Sequence, residues 1–198
     1  SKVEKYIATK TGNLVRPNIP EKYQYNIFEK FVDSSLKNLG VETIDLLQLH
    51  CPPKQLCGFY LLHEIMDRFI KKGKIKHYGI SVYNLEEAYS ALNFKNVKSI
   101  QLVFNLLRQE PKKKFLKDAK SQKVAVIARG PLSSGLLSGT INTKSKFSPS
   151  DHRSYNLTGK SFSIGDTFSG VPMEISLKAI EKFKKILPNN FSLINLAI

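Results

Sequence analysis

The chain has 198 residues, of which 41% are apolar and 24% charged, and Lys plus Arg exceed Asp plus Glu by 31 − 16 = 15. That balance suits one sizeable globular domain, or at most two small ones, and excludes a disordered polyelectrolyte. No run approaches the roughly 20 continuous apolar residues of a membrane helix, and no apolar h-region follows the opening "SKVEKY", so a cytoplasmic protein is expected.

In chain order, short β-branched runs alternate with segments of helical period. "VEKYIATK" (3–10) reads as a strand. "YNIFEKFVDSSLKNLG" (25–40) places Ile27, Phe28, Phe31, Leu36 and Leu39 near one face and ends on a glycine positioned as a helix C-cap. "TIDLLQLH" (43–50) is a second strand, cut off by Pro52 and Pro53, and "FYLLHEIMDRFIKKG" (59–73) a second helix. "IKHYGISV" (75–82) leads into Asn84, a good N-cap, and the helix "LEEAYSALNF" (85–94) with acids in its first turn. "VKSIQLVFN" (97–105), a helix across 111–122, and "KVAVIARG" (123–130) follow. Between Gly130 and Pro172 the periodicity vanishes into a stretch rich in Ser, Thr, Gly, Asn and Pro, and a loop of that length inside a domain points to function. Helical period returns over 173–187, and 189–198 reads as the start of another helix, capped by Asn190 or Ser192.

Five apolar strands joined by helices define an α/β chain with a parallel sheet. On periodicity alone a doubly wound sheet and a (β/α)8 barrel both remain open. The absence of a GxGxxG motif after any strand weakens the dinucleotide-binding doubly wound alternative.

In a parallel sheet the C-terminal strand ends converge on one rim. Those ends carry Lys10, His50, Ser81, Gln101 and Arg129, each after an apolar run. Arg129 is followed by "GPLSSG", a cation joined to a turn whose backbone amides suit an anion such as a pyrophosphate. The excess of lysine suits a polyanion, but it is scattered over helical stretches such as "PKKKFLKDAK" without interleaved aromatics, so neither nucleic acid nor membrane is expected as a partner. Cys51 and Cys57 lie near His50 and His63, but their spacing matches none of the usual zinc patterns and no metal is expected.

The segments "YIATKTG", "SLKNLGVETIDLLQLHCP", "GKIKHYGISVYN", "IQLVFNLL" and "ARGPLSSGLLSG" together resemble the aldo-keto reductase family over nearly the entire chain. The resemblance implies a (β/α)8 TIM barrel, here a partial barrel of about five strands treated as one domain over 1–198, which reduces an aldehyde or ketone to an alcohol with NADPH in preference to NADH. It implies that Lys10 and His50 belong to the catalytic group. The lysine ammonium would lower the pKa of a tyrosine that protonates the carbonyl oxygen, an aspartate would pair with the lysine, and the histidine would orient the carbonyl. Ser81 and Gln101 fall where the family grips the nicotinamide carboxamide. Arg129 falls where many members stack an aromatic ring on the nicotinamide, and Gly130, Leu132, Ser133, Gly135 and Leu136 lie in the turn that would wrap the pyrophosphate. The segment 130–172 is then a loop across cofactor or substrate, with Arg153, Tyr155 and Phe162 as contacts.

Val82 stands where an asparagine often follows that serine. The resemblance runs from the family's third strand to just before its eighth, while the tyrosine, the aspartate and the grip on the 2′-phosphate come from the remaining strands. The chain is therefore expected to be a portion of a longer polypeptide. The alternative is a cofactor-binding regulatory subunit, or an inactive fragment, with the same fold.

Overall fold

The computed structural model describes residues 5–198. In chain order the elements are β1 (Ala8–Thr11), α1 (Tyr25–Leu39), β2 (Ile44–His50), α2 (Lys54–Cys57), α3 (Tyr60–Lys71), β3 (Ile75–Ser81), α4 (Leu85–Leu92), β4 (Val97–Val103), α5 (Glu110–Lys113), α6 (Phe115–Ser121), β5 (Ala125–Arg129), α7 (His152–Tyr155), α8 (Met173–Ile186) and α9 (Leu193–Ala197). The strands follow one another across the sheet in the order β1-β2-β3-β4-β5, and the β1-β2, β2-β3 and β3-β4 pairs are parallel. The chain falls into two compact units, the first made of 1–102 and 114–127 and the second of 103–113 and 128–198.

The first unit is built by alternation. Leu47 and Leu49 of β2, Tyr78 and Ile80 of β3, and Ile100 and Leu102 of β4 share one face of the sheet. They join one core with Phe28 and Val32 of α1, Met66 and Phe69 of α3, Ala88 and Ala91 of α4, and Phe115 and Ala119 of α6. Burying each large side chain of this set contributes about 1.5–3 kcal/mol, so the helices are held chiefly by their apolar stripes. Gly40 ends α1 in the left-handed region at φ 66, which a glycine reaches without steric cost. Asn84 caps α4 by accepting from the Glu87 N–H at 3.0 Å, and Ser192 closes a capping box on α9.

Three elements differ from the expectation. The strand expected over 3–10 begins at Ala8 in the structure, where the ladder with β2 starts at Ala8↔Leu46; just before it Ile7 still accepts from the Leu46 N–H at 3.1 Å, but its own N–H goes to the Asp45 side chain at 2.8 Å instead of to a ladder carbonyl, and residues 3 and 4 lie outside the described residues. The helix expected across 111–122 is two helices, broken at Lys114, whose φ of −145° lies outside the helical region. On α1 the fully buried residues are Phe28 and Val32, while Leu39 is 44% exposed: the stripe facing the core runs through 28, 32 and 36 and has turned away by the last residue.

The second unit has its own core of Leu136, Leu137, Ile141, Phe168, Ile180 and Leu193. Within it the aperiodic segment after Gly130 folds into α7 and three short 3-10 turns over 133–138, 164–166 and 168–170. Asn156, fully buried, stands in for missing secondary structure there. Its Oδ1 accepts from the N–H groups of Ser161 and Phe162 at 3.0 and 3.1 Å, and its Nδ2 donates to Thr167 Oγ1 at 3.1 Å.

Candidate active site

In the first unit the candidate residues stand in two rows that register dictates. His50, Ser81 and Gln101 are Cα partners across β2, β3 and β4. Lys10, Gln48, Gly79 and Ser99 form the row two residues earlier. Side chains two positions apart share a face, so all of these point to the side of the sheet away from the helical core. Lys10 and His50 therefore share one face on adjacent parallel strands, one row apart.

Each position has a local cause. His50 is the last residue of β2 because Pro52 and Pro53 cannot donate to a ladder. Cys51, at φ 47, turns the chain sharply out of the strand, and its N–H still donates to the Ser81 carbonyl at 3.0 Å. Gly79 is required by packing: a Cβ there would collide with Ser99 Oγ and lie 2.6 Å from the Ser99 carbonyl oxygen, at the point where the β3-β4 register shifts. Ser81 is fully buried and donates to Gln101 Oε1 at 3.3 Å. Gln101 Nε2 has no partner among the described residues. Lys10 is exposed and makes no ion pair among the described residues, and His50 is half-buried.

Sequence reasoning misses Gln48 and Ser99, which occupy the row beside Lys10, buried and 3.5 Å apart. A signal exists in "IDLLQLH": Gln48 has the parity of His50, and a buried glutamine inside an apolar strand is uncommon. Val82, by contrast, is fully buried and bonds through its backbone N–H to the Gln101 carbonyl at 2.9 Å.

His63 is a core histidine. It stacks on Phe94 at 3.6 Å between ring centroids, with Nε2 3.0 Å from the Cys57 carbonyl and Nδ1 3.2 Å from the Tyr78 hydroxyl. A carbonyl accepts only, so Nε2 carries the proton and Nδ1 receives the tyrosine's. Burial pulls its pKa below the usual imidazole value and pushes the Cys57 thiol up to about 12. No group of three or more His, Cys, Asp or Glu that could hold a metal occurs among the described residues.

The candidate turn after β5 belongs to the second unit. Arg129 pairs through Nε with Asp166 Oδ1 at 2.9 Å. Gly130 and Gly135 have φ of 64 and 96°, and Ser133 and Ser134 between them are also left-handed, at 49 and 54°. Ser134 Oγ donates to the Asp166 carbonyl at 3.1 Å, accepts from the Phe168 N–H at 3.1 Å and lies 3.4 Å from His152 Nε2. Leu136 is fully buried in the core of this unit, with Leu132 packed partly buried against it. Arg153 is held by Asp151 at 2.7 Å and lies 4.3 Å over the Phe147 ring, while Tyr155 and Phe162 meet edge to face.

A sheet whose strands follow one another in chain order from β1 to β5, with no reversal of the kind that marks a doubly wound sheet, and whose polar side chains gather at the C-terminal strand ends, belongs to the class of α/β barrel folds. Within that class the chain belongs to the aldo/keto reductase family, whose sequence model it matches over residues 2–197. It is 30% identical over 125 residues to aldo-keto reductase YhdN of Bacillus subtilis, covering 63% of this chain and 38% of that protein. It is 27% identical over 159 residues to aldo-keto reductase yakc [NADP(+)] of Schizosaccharomyces pombe, covering 76% and 46%. Among solved structures, a glycerol dehydrogenase from Gluconobacter oxydans superposes with a TM-score of 0.68 at 27% identity, over 88% of this chain and 51% of that one. The five strands are thus a partial (β/α)8 barrel, and the chain spans about half the length of these relatives or less. No helix among the described residues is long and apolar enough to cross a membrane.

Proposed function

We propose that the protein reduces an aldehyde or ketone to an alcohol with NADPH, NADH being the weaker cofactor, and that it works in the cytoplasm on a small carbonyl compound. The observation that carries this reading is the shared face of Lys10 and His50 on adjacent parallel strands, in a chain of this family. NADPH is favoured by the net charge of +15, which suits an additional phosphate.

The residues fit such a cofactor. Gln101 Nε2, without a partner among the described residues, is a donor suited to the carboxamide oxygen, and Ser81 holds the glutamine by its other end. The turn from Gly130 through Leu132 and Ser133 to Gly135 and Leu136 is left-handed at Gly130, Ser133, Ser134 and Gly135, a curl of the kind that cradles phosphate oxygens, and it is stiffened by the Ser133 and Gly135 N–H groups donating to the Gly130 and Leu132 carbonyls. The Arg129 guanidinium offers a plane for the nicotinamide ring, and Asp166 offsets part of a charge that would disfavour the oxidised, cationic ring. The segment 130–172 is assigned the cover over cofactor or substrate.

Bound NADPH supplies the hydride that arrives at the carbonyl carbon. His50 donates a hydrogen bond to the carbonyl oxygen, which orients the substrate and stabilises the charge that develops there. The Lys10 ammonium lowers the pKa of the tyrosine that the family resemblance makes the proton donor, so the oxygen receives a proton as the new C–H bond forms. The test is a fluorescence titration of the complete protein with NADPH, followed by carbonyl-dependent loss of NADPH absorbance over a panel of aldehydes and ketones. Binding with turnover is expected. Binding without turnover on any carbonyl would favour the regulatory subunit, and no binding would overturn both readings.

A further inference from the structure

The second unit contains a hydrogen-bond chain that ends on the candidate phosphate turn. Asn105, two residues beyond β4 and buried, accepts through Oδ1 from the N–H groups of Leu107 and Arg108 at 2.9 and 3.1 Å. Those donors fix the orientation of the amide. Its Nδ2 spends both hydrogens, one on the Gly130 carbonyl at 2.8 Å and one on Ser169 Oγ at 2.7 Å. Ser169 Oγ in turn lies 2.7 Å from Ser133 Oγ. Ser133 and Ser169 are both buried, and neither has a further side-chain partner among the described residues.

The protons of this chain outnumber its acceptors. The serine pair owns two hydroxyl protons, and the single contact between the two oxygens uses one of them. The Asn105 amide has no acceptor left to offer, because Oδ1 already takes two backbone donors. Either serine can be the donor; with Ser169 donating to Ser133, the Ser133 O–H is the one left without an acceptor among the described residues, and buried polar groups are otherwise almost always satisfied. Backbone geometry marks the same place. Ser133, Ser134, Phe168 and Ser169 have φ of 49, 54, 50 and 60°, a region non-glycine residues enter at a cost. Such outliers persist where the surroundings over-determine them, and they gather at ligand clamps.

We propose that Asn105 and Ser169 are positioning residues for the nucleotide: Asn105 clamps the Gly130 carbonyl, and through Ser169 it sets the Ser133 hydroxyl to donate to a phosphate oxygen. This rests on the assignment of the Gly130–Leu136 turn to the cofactor phosphates. An anionic oxygen is the acceptor the orphan proton lacks, and hydrogen bonds to charged acceptors are the strong ones.

Ser169→Gly removes the relay hydroxyl at a backbone angle that glycine adopts freely, so the fold is retained. In an NADPH titration of the complete protein, this variant is expected to bind about tenfold more weakly than wild type, equivalent to ~1.4 kcal/mol. Asn105→Asp, which keeps the acceptor for Leu107 and Arg108 but loses both donors, is expected to weaken binding at least as much. In a Ser133→Gly background, Ser169→Gly is expected to add nothing, because Ser133 is the group through which the relay acts. Unchanged affinity in Ser169→Gly, or losses that add in the double variant, would overturn the inference and leave the proposed function standing. Absence of NADPH binding by the wild-type protein would overturn both.

Discussion

The two candidate regions are made by opposite means. The strand-end rows of the first unit are positioned by register: once β1 to β4 pair in parallel, His50, Ser81 and Gln101 have no freedom to stand anywhere but side by side. The turn region of the second unit has no ladder to hold it. There, side chains such as Asn156, Asn105 and Ser134 supply the hydrogen bonds, and four non-glycine residues sit at left-handed φ values. A register-built site is robust to most local changes and sensitive to anything that shifts a strand; a side-chain-built site is sensitive to single polar substitutions.

The largest expected effect concerns the first region. Lys10→Met should leave the ladder intact and lower kcat by about 10³-fold, within the range for a group that supports proton transfer. Full activity in that variant, measured as carbonyl-dependent NADPH oxidation, would remove Lys10 from the chemistry and leave its row a structural feature. Next comes the second region. Asn156→Ala strands the Ser161 and Phe162 N–H groups and Thr167 Oγ1, and should cost about 3 kcal/mol of stability, read from urea unfolding. A cost as small as that of a surface substitution would mean that the segment does not depend on its side chains. Gly79→Ala sharpens the contrast from the other side. The new Cβ meets Ser99, and pushing β3 from β4 should cost about 2 kcal/mol and disturb the Ser81–Gln101 row along with it.

The smallest effect is a pH dependence. His63 has a folded-state pKa below its ordinary value of 6.5 because burial disfavours the imidazolium. The unfolded chain therefore binds a proton first, so the contribution is fully present above 6.5 and declines as pH falls from there toward the lowered folded pKa. The slope is at most ~1.4 kcal/mol per pH unit, because a single proton distinguishes the unfolded from the folded chain at this residue. Urea midpoints measured on either side of the ordinary imidazole pKa, at about pH 7 and about pH 5.5, would show it, and His63→Gln should flatten the difference.

Much of the first unit is legible in the sequence because its signals are short-range. The aliphatic runs, the C-cap glycine at Gly40 and the N-cap at Asn84 each act through neighbours a few residues away, and those elements stand where the pattern puts them. Gln48 and Ser99 are invisible at that range, because their meaning depends on cross-strand partners far away in sequence. The turns inside 130–172 are hidden for a related reason: the Gly130 carbonyl and the N–H groups of Ser161, Phe162 and Phe168 are satisfied by the side chains of Asn105, Asn156 and Ser134, and no periodicity announces a side chain that replaces a ladder.

By itself the sequence determined the α/β class, the order of strands and helices and the family, since alternation, capping and the run of motifs are properties of local order along the chain. Only the tertiary structure decided that Lys10 faces Gln48, that Gly79 has to yield space to Ser99, and that Asn105 and Ser169 lead to Ser133. Those facts come from register and from the closing of distant hydrogen bonds, which are set by the free energy of the whole packed chain rather than by any stretch of it.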